Sequence, residues 1–171
     1  SFCFDTETTG LDSLETEIVG LALSWNKSEA WYILFPDNRE ETMSWLHLLK
    51  PIFENPLTQK VGQNIKFDYQ VLMQYGVRTS GQMFDTMLAH YLLNPDGAHN
   101  LNALAENYLN YKMVPIEQLI GVKGKEQRTM RSVDPQLQRE YAGEDADITL
   151  QLKMILEPDL IKADLMKLFQ E

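Results

Sequence analysis

The chain opens with three β-patterned runs in close succession, and this opening restricts the possible folds more than any other feature of the sequence. In the first run, residues 1–7, side chains alternate between the two sides of a strand, with Phe2, Phe4 and Thr6 on one side and Cys3, Asp5 and Glu7 on the other. The second and third runs, residues 18–25 and 31–35, are separated by the polar Asn26-Lys27-Ser28-Glu29, which is typical of a hairpin. Together they predict an antiparallel meander.

Strand-like and helix-like segments then alternate. Apolar residues recur at helical spacing from about Asp37 to Glu54, with Asp37 or Asn38 as the cap. Residues 60–62 form a short strand before a helix that stops near Gly76, and Met83-Phe84 precedes a helix halted at residues 94–97. This order predicts an α/β or α+β sheet with helices packed on it.

The last third of the chain is mostly helical. Residues 101–109 form a short helix, whereas residues 121–131 are polar, glycine-bearing and locally basic, which favours a surface loop. Pro135 is expected to open a long helix that runs to about Leu156, and Pro158 to separate this helix from a last amphipathic segment.

Composition limits the class of protein. A chain of 171 residues with 44% hydrophobic content is the size of one compact domain, so residues 1–171 are predicted to form a single domain. No run of 18 apolar residues is present, which argues against a membrane span. The lone Cys3 excludes an intramolecular disulfide, and no charged leader precedes the first strand, so we expect a cytoplasmic location.

The formal net charge of −10 bears on possible partners. Proteins that grip long duplexes usually carry a basic patch that displaces counterions from phosphates, so a large duplex footprint is not expected. An acidic chain can still act on nucleic acid if several carboxylates converge on bound divalent cations, because the cations then face the phosphate.

Three segments carry candidate chemistry. Asp5 and Glu7 lie two apart on a strand and therefore leave the same face, where hard oxygen ligands suit Mg²⁺ or Mn²⁺. Asp68 lies about one turn into a helix, and Tyr141 and Asp145, four apart, share a helix face that excludes Asp147. Taken singly, each also fits a structural role: a solvated strand end, an acid favoured by the helix dipole, and a half-buried aromatic beside a solvated acid.

Taken together, the three segments resemble the DEDD exonucleases, in the subgroup whose last motif carries tyrosine, and most closely the proofreading domains of bacterial DNA polymerases of type I. The matching motifs are Phe4-Asp5-Thr6-Glu7-Thr8-Thr9-Gly10-Leu11-Asp12, Val61-Gly62-Gln63-Asn64-Ile65-Lys66-Phe67-Asp68 and Tyr141-Ala142-Gly143-Glu144-Asp145-Ala146-Asp147. Weaker similarity runs through Phe84–Leu88, Leu101–Ala105 and Gly121–Lys125, so that it covers nearly the whole chain. Gly143 stands where alanine is common in relatives.

The resemblance implies an RNase H-like α/β fold, with a central mixed five-stranded sheet formed by the antiparallel three-stranded meander plus parallel strands and flanked by helices. It also implies two divalent cations, Mg²⁺ or Mn²⁺, with Asp5 bridging both, Glu7 and Asp145 on the first and Asp68 on the second. Tyr141 would orient the attacking water. Leu11, as an apolar wedge against a base, and Asn64 would contact the terminal nucleotide.

Other residues with possible chemistry are given structural roles. His47, His90 and His99 are scattered and lack the spacing of metal ligands. Asp85 is interpreted as a helix cap because Thr86-Met87-Leu88 follow it. The basic residues of the 121–131 loop fit a solvated loop as well as contacts to a substrate backbone; these are Lys123, Lys125, Arg128 and Arg131.

The sequence therefore predicts a two-metal 3′-to-5′ exonuclease that hydrolyses single-stranded DNA ends to nucleoside monophosphates, as a proofreading module in the bacterial cytoplasm. On this view the chain is a fragment of a longer polymerase, and its partners are a DNA 3′ end and the polymerase domain of the same chain, with no membrane. Two alternatives stay open: RNA 3′-end trimming of the ribonuclease D type, because such motifs do not encode sugar choice, and a non-catalytic structural domain of a polymerase.

Overall fold

The computed structural model describes residues 1–124 and 127–171. Five strands form one mixed sheet in the order β3-β2-β1-β4-β5, with β1 antiparallel to β2, β2 antiparallel to β3, and β4 parallel to both β1 and β5. The strands are β1 (Phe2–Thr8), β2 (Ile18–Asn26), β3 (Glu29–Leu34), β4 (Lys60–Gly62) and β5 (Met83–Asp85). The predicted meander, its hairpin and the two short parallel strands are confirmed.

Helices cover both faces of the sheet. They are α1 (Arg39–Phe53), α2 (Ile65–Gln74), α3 (Thr86–Leu93), α4 (Leu101–Leu109), α5 (Glu117–Ile120), α6 (Pro135–Lys162) and α7 (Met166–Gln170), with a 3₁₀ turn at Met130–Ser132. The cap of α1 is Asn38, whose side chain accepts from the backbone N–H of Glu41. Among the described residues, no helix has both the length and the hydropathy that crossing a bilayer requires.

The alternation of β1 decides where its acids lie. Phe2 and Phe4 pack into an apolar core with α1 and α2, whereas Cys3 points to the opposite face and packs into a second core with α3, α4 and α6. Because side chains alternate along a strand, Asp5 and Glu7 follow Cys3 onto the face that α6 covers. The carboxylates of Asp5 and Glu7 therefore lie at the edge of the apolar core beneath α6.

The long helix α6 runs through Pro158, so the prediction that this proline separates two helices is wrong. Proline removes one backbone donor and crowds the carbonyl four residues earlier. Both Pro158 and Met154 are exposed, so this disturbance lies on the solvent side, while Leu156 and Leu160 are fully buried on the other side. The helix ends at Lys162, with Ala163 as its C-cap residue, before Asp164 with its φ of 58°.

The loop of residues 121–131 is only partly a surface loop, in contrast to the sequence-based expectation. Met130 is 3% exposed, and Arg131 donates from its guanidinium to the carbonyls of Phe35 and Ile18, at 2.8 and 2.9 Å. Arg131 thus attaches the loop to the end of the sheet. The predicted contribution of Lys125 lies outside the described residues.

Asp85 caps two helices instead of the one that the sequence indicates. Its carboxylate accepts from the backbone N–H groups of Met87 and Leu88, at the start of α3, at 2.9 and 3.3 Å. It also accepts from the N–H groups of Asn64 and Ile65, at the start of α2, both at 3.0 Å. One side chain therefore satisfies unpaired donors at two helix ends, which it links across β4 and β5.

We expect Asp85→Ala to lower the free energy of unfolding by about 2–4 kcal/mol, because a lost cap costs about 1–2 kcal/mol and two caps are lost. Asp134→Ala is the matched control, since Asp134 caps only α6, accepting from Gln136 and Leu137. Urea denaturation of the two variants measures the difference. Equal losses would contradict the double-cap interpretation.

Candidate active site

Three carboxylates meet where β1 passes beneath α6. Asp5 and Glu7 project from β1 and Asp145 from α6, and each offers an oxygen within 4.8 Å of the others. Glu7 is buried at 7% exposure, whereas Asp5 and Asp145 are partly accessible. Acids 140 residues apart in the chain are thus brought into one cluster, as the sequence predicts.

Asp68 approaches the same place from α2. It is buried, and its carboxylate accepts from both the backbone N–H and the hydroxyl of Thr6, at 2.9 and 2.5 Å. β4 ends at Gly62, so no residue of β4 pairs with Thr6 of β1. The carboxylate of Asp68 accepts from the Thr6 N–H in place of a neighbouring strand. Thr6 lies between Asp5 and Glu7, and its bonds fix Asp68 beside the cluster.

The acids open into a pocket of about 470 Å³. Its floor includes all four carboxylates and Tyr141. Both residues predicted to contact a terminal nucleotide, Leu11 and Asn64, also line it. Leu11 lies on the turn after β1 with 90% of its surface exposed, and Asn64 precedes α2 in a left-handed conformation with a φ of 56°.

Burial makes the four carboxylates hard to ionise. It raises the pKa of Asp5 to about 6. Burial, and then the negative charge of Asp5, raise the pKa values of Glu7, Asp68 and Asp145 well above the usual carboxyl range. The hydrogen bonds from Thr6 act against this effect at Asp68. Without a cation, the site therefore resists carrying four negative charges.

Tyr141 lies one helical turn before Asp145 on the same face of α6. Its ring packs partly against Val19, Met130 and neighbouring residues of a small apolar cluster. Burial, and then the charge of Asp145, raise the pKa of its phenol. The hydroxyl is thus neutral throughout the physiological pH range and available as a donor and acceptor in the pocket.

The donor set fits divalent cations. Glu7 Oε1 is buried and has no hydrogen-bond partner among the described residues, which is costly unless something else binds it. Within the same part of the chain, no lysine, arginine or histidine forms an ion pair with any of the four acids. Clustered carboxylate oxygens without a basic partner suit Mg²⁺ or Mn²⁺.

Several supporting residues were not found from the sequence. Gly20 lies opposite Glu7 in the β1–β2 ladder, and a Cβ there would come within 2.0 Å of the Tyr32 hydroxyl. Only glycine leaves room for Tyr32, which donates to the buried Gln138 at 2.9 Å. Burial, and then the negative charge of Glu7, raise the pKa of the Tyr32 phenol. The sequence signal that could have found Gly20 and Tyr32 is the strand alternation, which places both residues on the face of the sheet that α6 covers.

Asp147 and two of the three histidines lie outside the carboxylate cluster. Asp147 points away from the site, as expected, and accepts from Ser28 and Gln151. His90 and His99 are not scattered as predicted, because their Nδ1 atoms lie 2.7 Å apart. Neither belongs to the carboxylate cluster.

The sheet order and the flanking helices define the class of fold, which is the RNase H-like exonuclease fold. Among solved structures, an apo nuclease superposes with a TM-score of 0.80 at 22% identity, over 99% of this chain and 77% of that chain. The catalytic core of RRP6 from Trypanosoma brucei gives a TM-score of 0.73 at 18% identity, over 99% and 44% of the two chains. These likenesses confirm the predicted fold class.

The chain belongs to the 3′-5′ exonuclease family, whose family model matches residues 1–161. It is 34% identical to DNA polymerase I of Rhizobium leguminosarum and 32% identical to that of Borreliella burgdorferi, over 98% of this chain in each case. It spans only 19% and 18% of those relatives, about a fifth of their length. It is therefore a 3′-5′ exonuclease domain of the type found in DNA polymerase I, and this family depends on divalent metal.

We expect Mn²⁺ to raise the melting temperature at pH 8 and to have little effect at pH 5. Raised carboxyl pKa values mean that the folded state binds protons more tightly. The contribution of these acids to metal-free stability is therefore fully present below about pH 4 and is lost as the pH rises through about 6 and above. Mn²⁺ binds the ionised acids and restores the lost stability. Scanning calorimetry with and without Mn²⁺ measures the effect.

Asp5→Asn removes one charge from the cluster and should raise the metal-free melting temperature at pH 8 while reducing the Mn²⁺ effect. Asp12→Asn is the matched control, because Asp12 lies on the exposed turn after β1 outside the cluster. No Mn²⁺ effect in the unsubstituted protein would favour the non-catalytic structural alternative.

Proposed function

We propose that the chain hydrolyses single-stranded DNA from its 3′ end and releases nucleoside monophosphates, using two divalent cations. The observation that carries this proposal is the convergence of Asp5, Glu7 and Asp145 within 4.8 Å, with Asp68 in the same pocket. Membership of a nuclease family would not by itself define the reaction mechanism if the acids were absent. Here four acids from three separate elements line one pocket.

The acids divide between two cation positions in this proposal. Glu7, Asp145 and Asp5 would hold one cation, and Asp5 and Asp68 the second. Cations bound there would lower the pKa of a water molecule and stabilise negative charge on the phosphate and on the leaving 3′ oxygen. The raised carboxyl pKa values support cation binding at these acids, because a cation relieves a repulsion that the fold itself leaves uncompensated.

Tyr141 would orient the attacking water. Its phenol keeps its proton because burial and the charge of Asp145 raise its pKa, so it acts by hydrogen bonding and not as a base. The ring is held in place by packing against Val19 and Met130, which restricts the hydroxyl to the pocket. Orientation of a reactant in this way lowers the entropic part of the barrier.

Leu11 and Asn64 would position the terminal nucleotide. An exposed leucine at the rim of a polar pocket offers an apolar contact for a base, and Asn64 offers amide donors and acceptors from the α2 end of the pocket. The side chain of Asn64 makes no cap hydrogen bond to α2, so capping this helix does not occupy it. Its backbone is fixed by the bond to Asp85.

A single strand is the substrate form that the charge balance favours. The formal net charge of −10 opposes a long duplex footprint, whereas a pocket of about 470 Å³ takes the end of one strand. The identity of the curated relatives as DNA polymerase I supports DNA over RNA. Trimming of RNA 3′ ends is the second candidate, since these motifs do not choose the sugar.

We further propose that the domain edits for a polymerase domain in the same longer chain, in the bacterial cytoplasm. The relatives support this, because the matching region covers only about a fifth of each DNA polymerase I. A non-catalytic structural role is disfavoured by the presence of all four carboxylates and the tyrosine.

We expect Asp5→Ala to reduce Mg²⁺- or Mn²⁺-dependent release of nucleotides from a 3′-labelled single strand by about 10³-fold or more, because two cation positions lose a ligand. Tyr141→Phe should cost less, roughly 10²-fold, since only the orienting hydroxyl is removed. Product analysis and circular dichroism of both variants are the measurements. Substantial activity in a folded Asp5→Ala protein would refute the mechanism.

Matched DNA and RNA oligonucleotides of one sequence separate the two substrate hypotheses. We expect kcat/KM to be higher for DNA, because a pocket that excludes or fails to bind a 2′-hydroxyl discriminates against RNA. Initial rates should be compared at equal ionic strength, given the salt dependence of phosphate contacts. Faster degradation of the RNA strand would replace the DNA assignment by the ribonuclease D type.

A further inference from the structure

The pocket that contains the four carboxylates has one cationic side chain among its described lining residues, that of Arg128. We propose that Arg128 binds a backbone phosphate of the substrate strand, next to the scissile phosphate on its 5′ side. This inference rests on the proposed function, and it adds a substrate-binding residue to the carboxylates and the tyrosine. Arginine suits the role because its planar guanidinium pairs with phosphate through several donors.

Arg128 lines the wall of the pocket, and hydrogen bonds hold it there although the residue is exposed. Its backbone N–H donates to the carbonyl of Ile120 at 2.8 Å, which pairs this part of the loop with α5. Its guanidinium donates through Nη2 to the carbonyl of Leu119 at 3.1 Å. Within the described part of the chain, this bond uses one of five guanidinium donors and leaves the others for a ligand.

The neighbouring wall positions Arg128 further. Ile116, Ile120 and Met130 line the same pocket, and Met130 packs in the apolar cluster that also contacts Tyr141. Arg131, immediately after Met130, attaches this wall to the sheet through the carbonyls of Phe35 and Ile18. The loop that carries Arg128 is thus held to the sheet and to the apolar cluster by its neighbours Met130 and Arg131.

The scissile phosphate itself is not the target. Arg128 forms no ion pair within 4.0 Å of any described carboxylate. A phosphate held by cations at the acids already has those cations as its counter-charges, whereas the next phosphate of a strand leaving the pocket is a separate anion that the guanidinium can pair with.

The other basic residues near this loop do not share these features. Lys123 is exposed and does not line the pocket. Arg131 is committed to two backbone carbonyls and lies 3.7 Å from Asp37. Lys123 is consequently the matched control for Arg128, with the same charge in the same loop.

Binding of a labelled single-stranded oligonucleotide tests the inference in the Asp5→Ala background, in which hydrolysis is expected to be slowed by about 10³-fold or more. Arg128→Ala should weaken binding roughly tenfold and lower the slope of log Kd against log salt by about 0.7, the value for one phosphate contact on a single strand. Lys123→Ala should leave both quantities unchanged. Arg128→Lys, which keeps the charge but not the planar guanidinium, should give an intermediate affinity.

A neutral methylphosphonate at a single linkage identifies the phosphate. Placed on the 5′ side of the scissile linkage, it should weaken binding to the Arg128-containing protein and have little further effect after Arg128→Ala, giving a coupling in the double-substitution cycle. The same replacement four linkages upstream should weaken binding equally in both proteins. Coupling at neither position, or equal losses for Arg128→Ala and Lys123→Ala, overturns the inference.

Activity of the unsubstituted chain separates a failure of the Arg128 assignment from a failure of the proposed function. If that chain degrades DNA and Arg128→Ala binds as tightly as its parent, only the role of Arg128 is refuted. If the unsubstituted chain neither degrades nor binds single strands, the proposed function fails and the inference fails with it.

Discussion

Mutual repulsion of buried carboxylates is the interaction on which the rest of this structure depends. Asp5, Glu7 and Asp145 offer oxygens within 4.8 Å of one another. Burial raises the pKa values of all three carboxyl groups, and the charge of Asp5 also raises those of Glu7 and Asp145. Such an arrangement is unstable by itself, so the surrounding fold must hold the acids together before any cation binds. Binding of a divalent cation then converts the repulsion into a source of affinity.

The scaffold resists this repulsion through packing on both faces of the sheet. Phe4 anchors β1 in one core and Cys3 anchors it in the other, so the strand cannot move away from α6 without opening a core. The bonds between Thr6 and Asp68 hold the fourth acid from the opposite side. The space that Gly20 leaves for Tyr32 keeps a phenol beside Glu7 without steric conflict.

Local periodicity predicted much of this arrangement, because it depends on neighbours in the chain. Alternation along β1 placed Asp5 and Glu7 on one face, and the four-residue interval paired Tyr141 with Asp145. Contacts between distant segments carry no such signal. The second helix capped by Asp85 and the packing that carries α6 through Pro158 depend on such contacts, so only the folded structure reveals them.

The carboxylate of Asp85 has a consequence for how the domain opens. It bonds the first amides of α2, the helix that carries Asp68, and the first amides of α3. A fluctuation that frays one of these helix ends therefore removes an acceptor from the other, so the two ends open as one cooperative unit. Local unfolding near the carboxylate pocket is thereby tied to α3, which does not line that pocket.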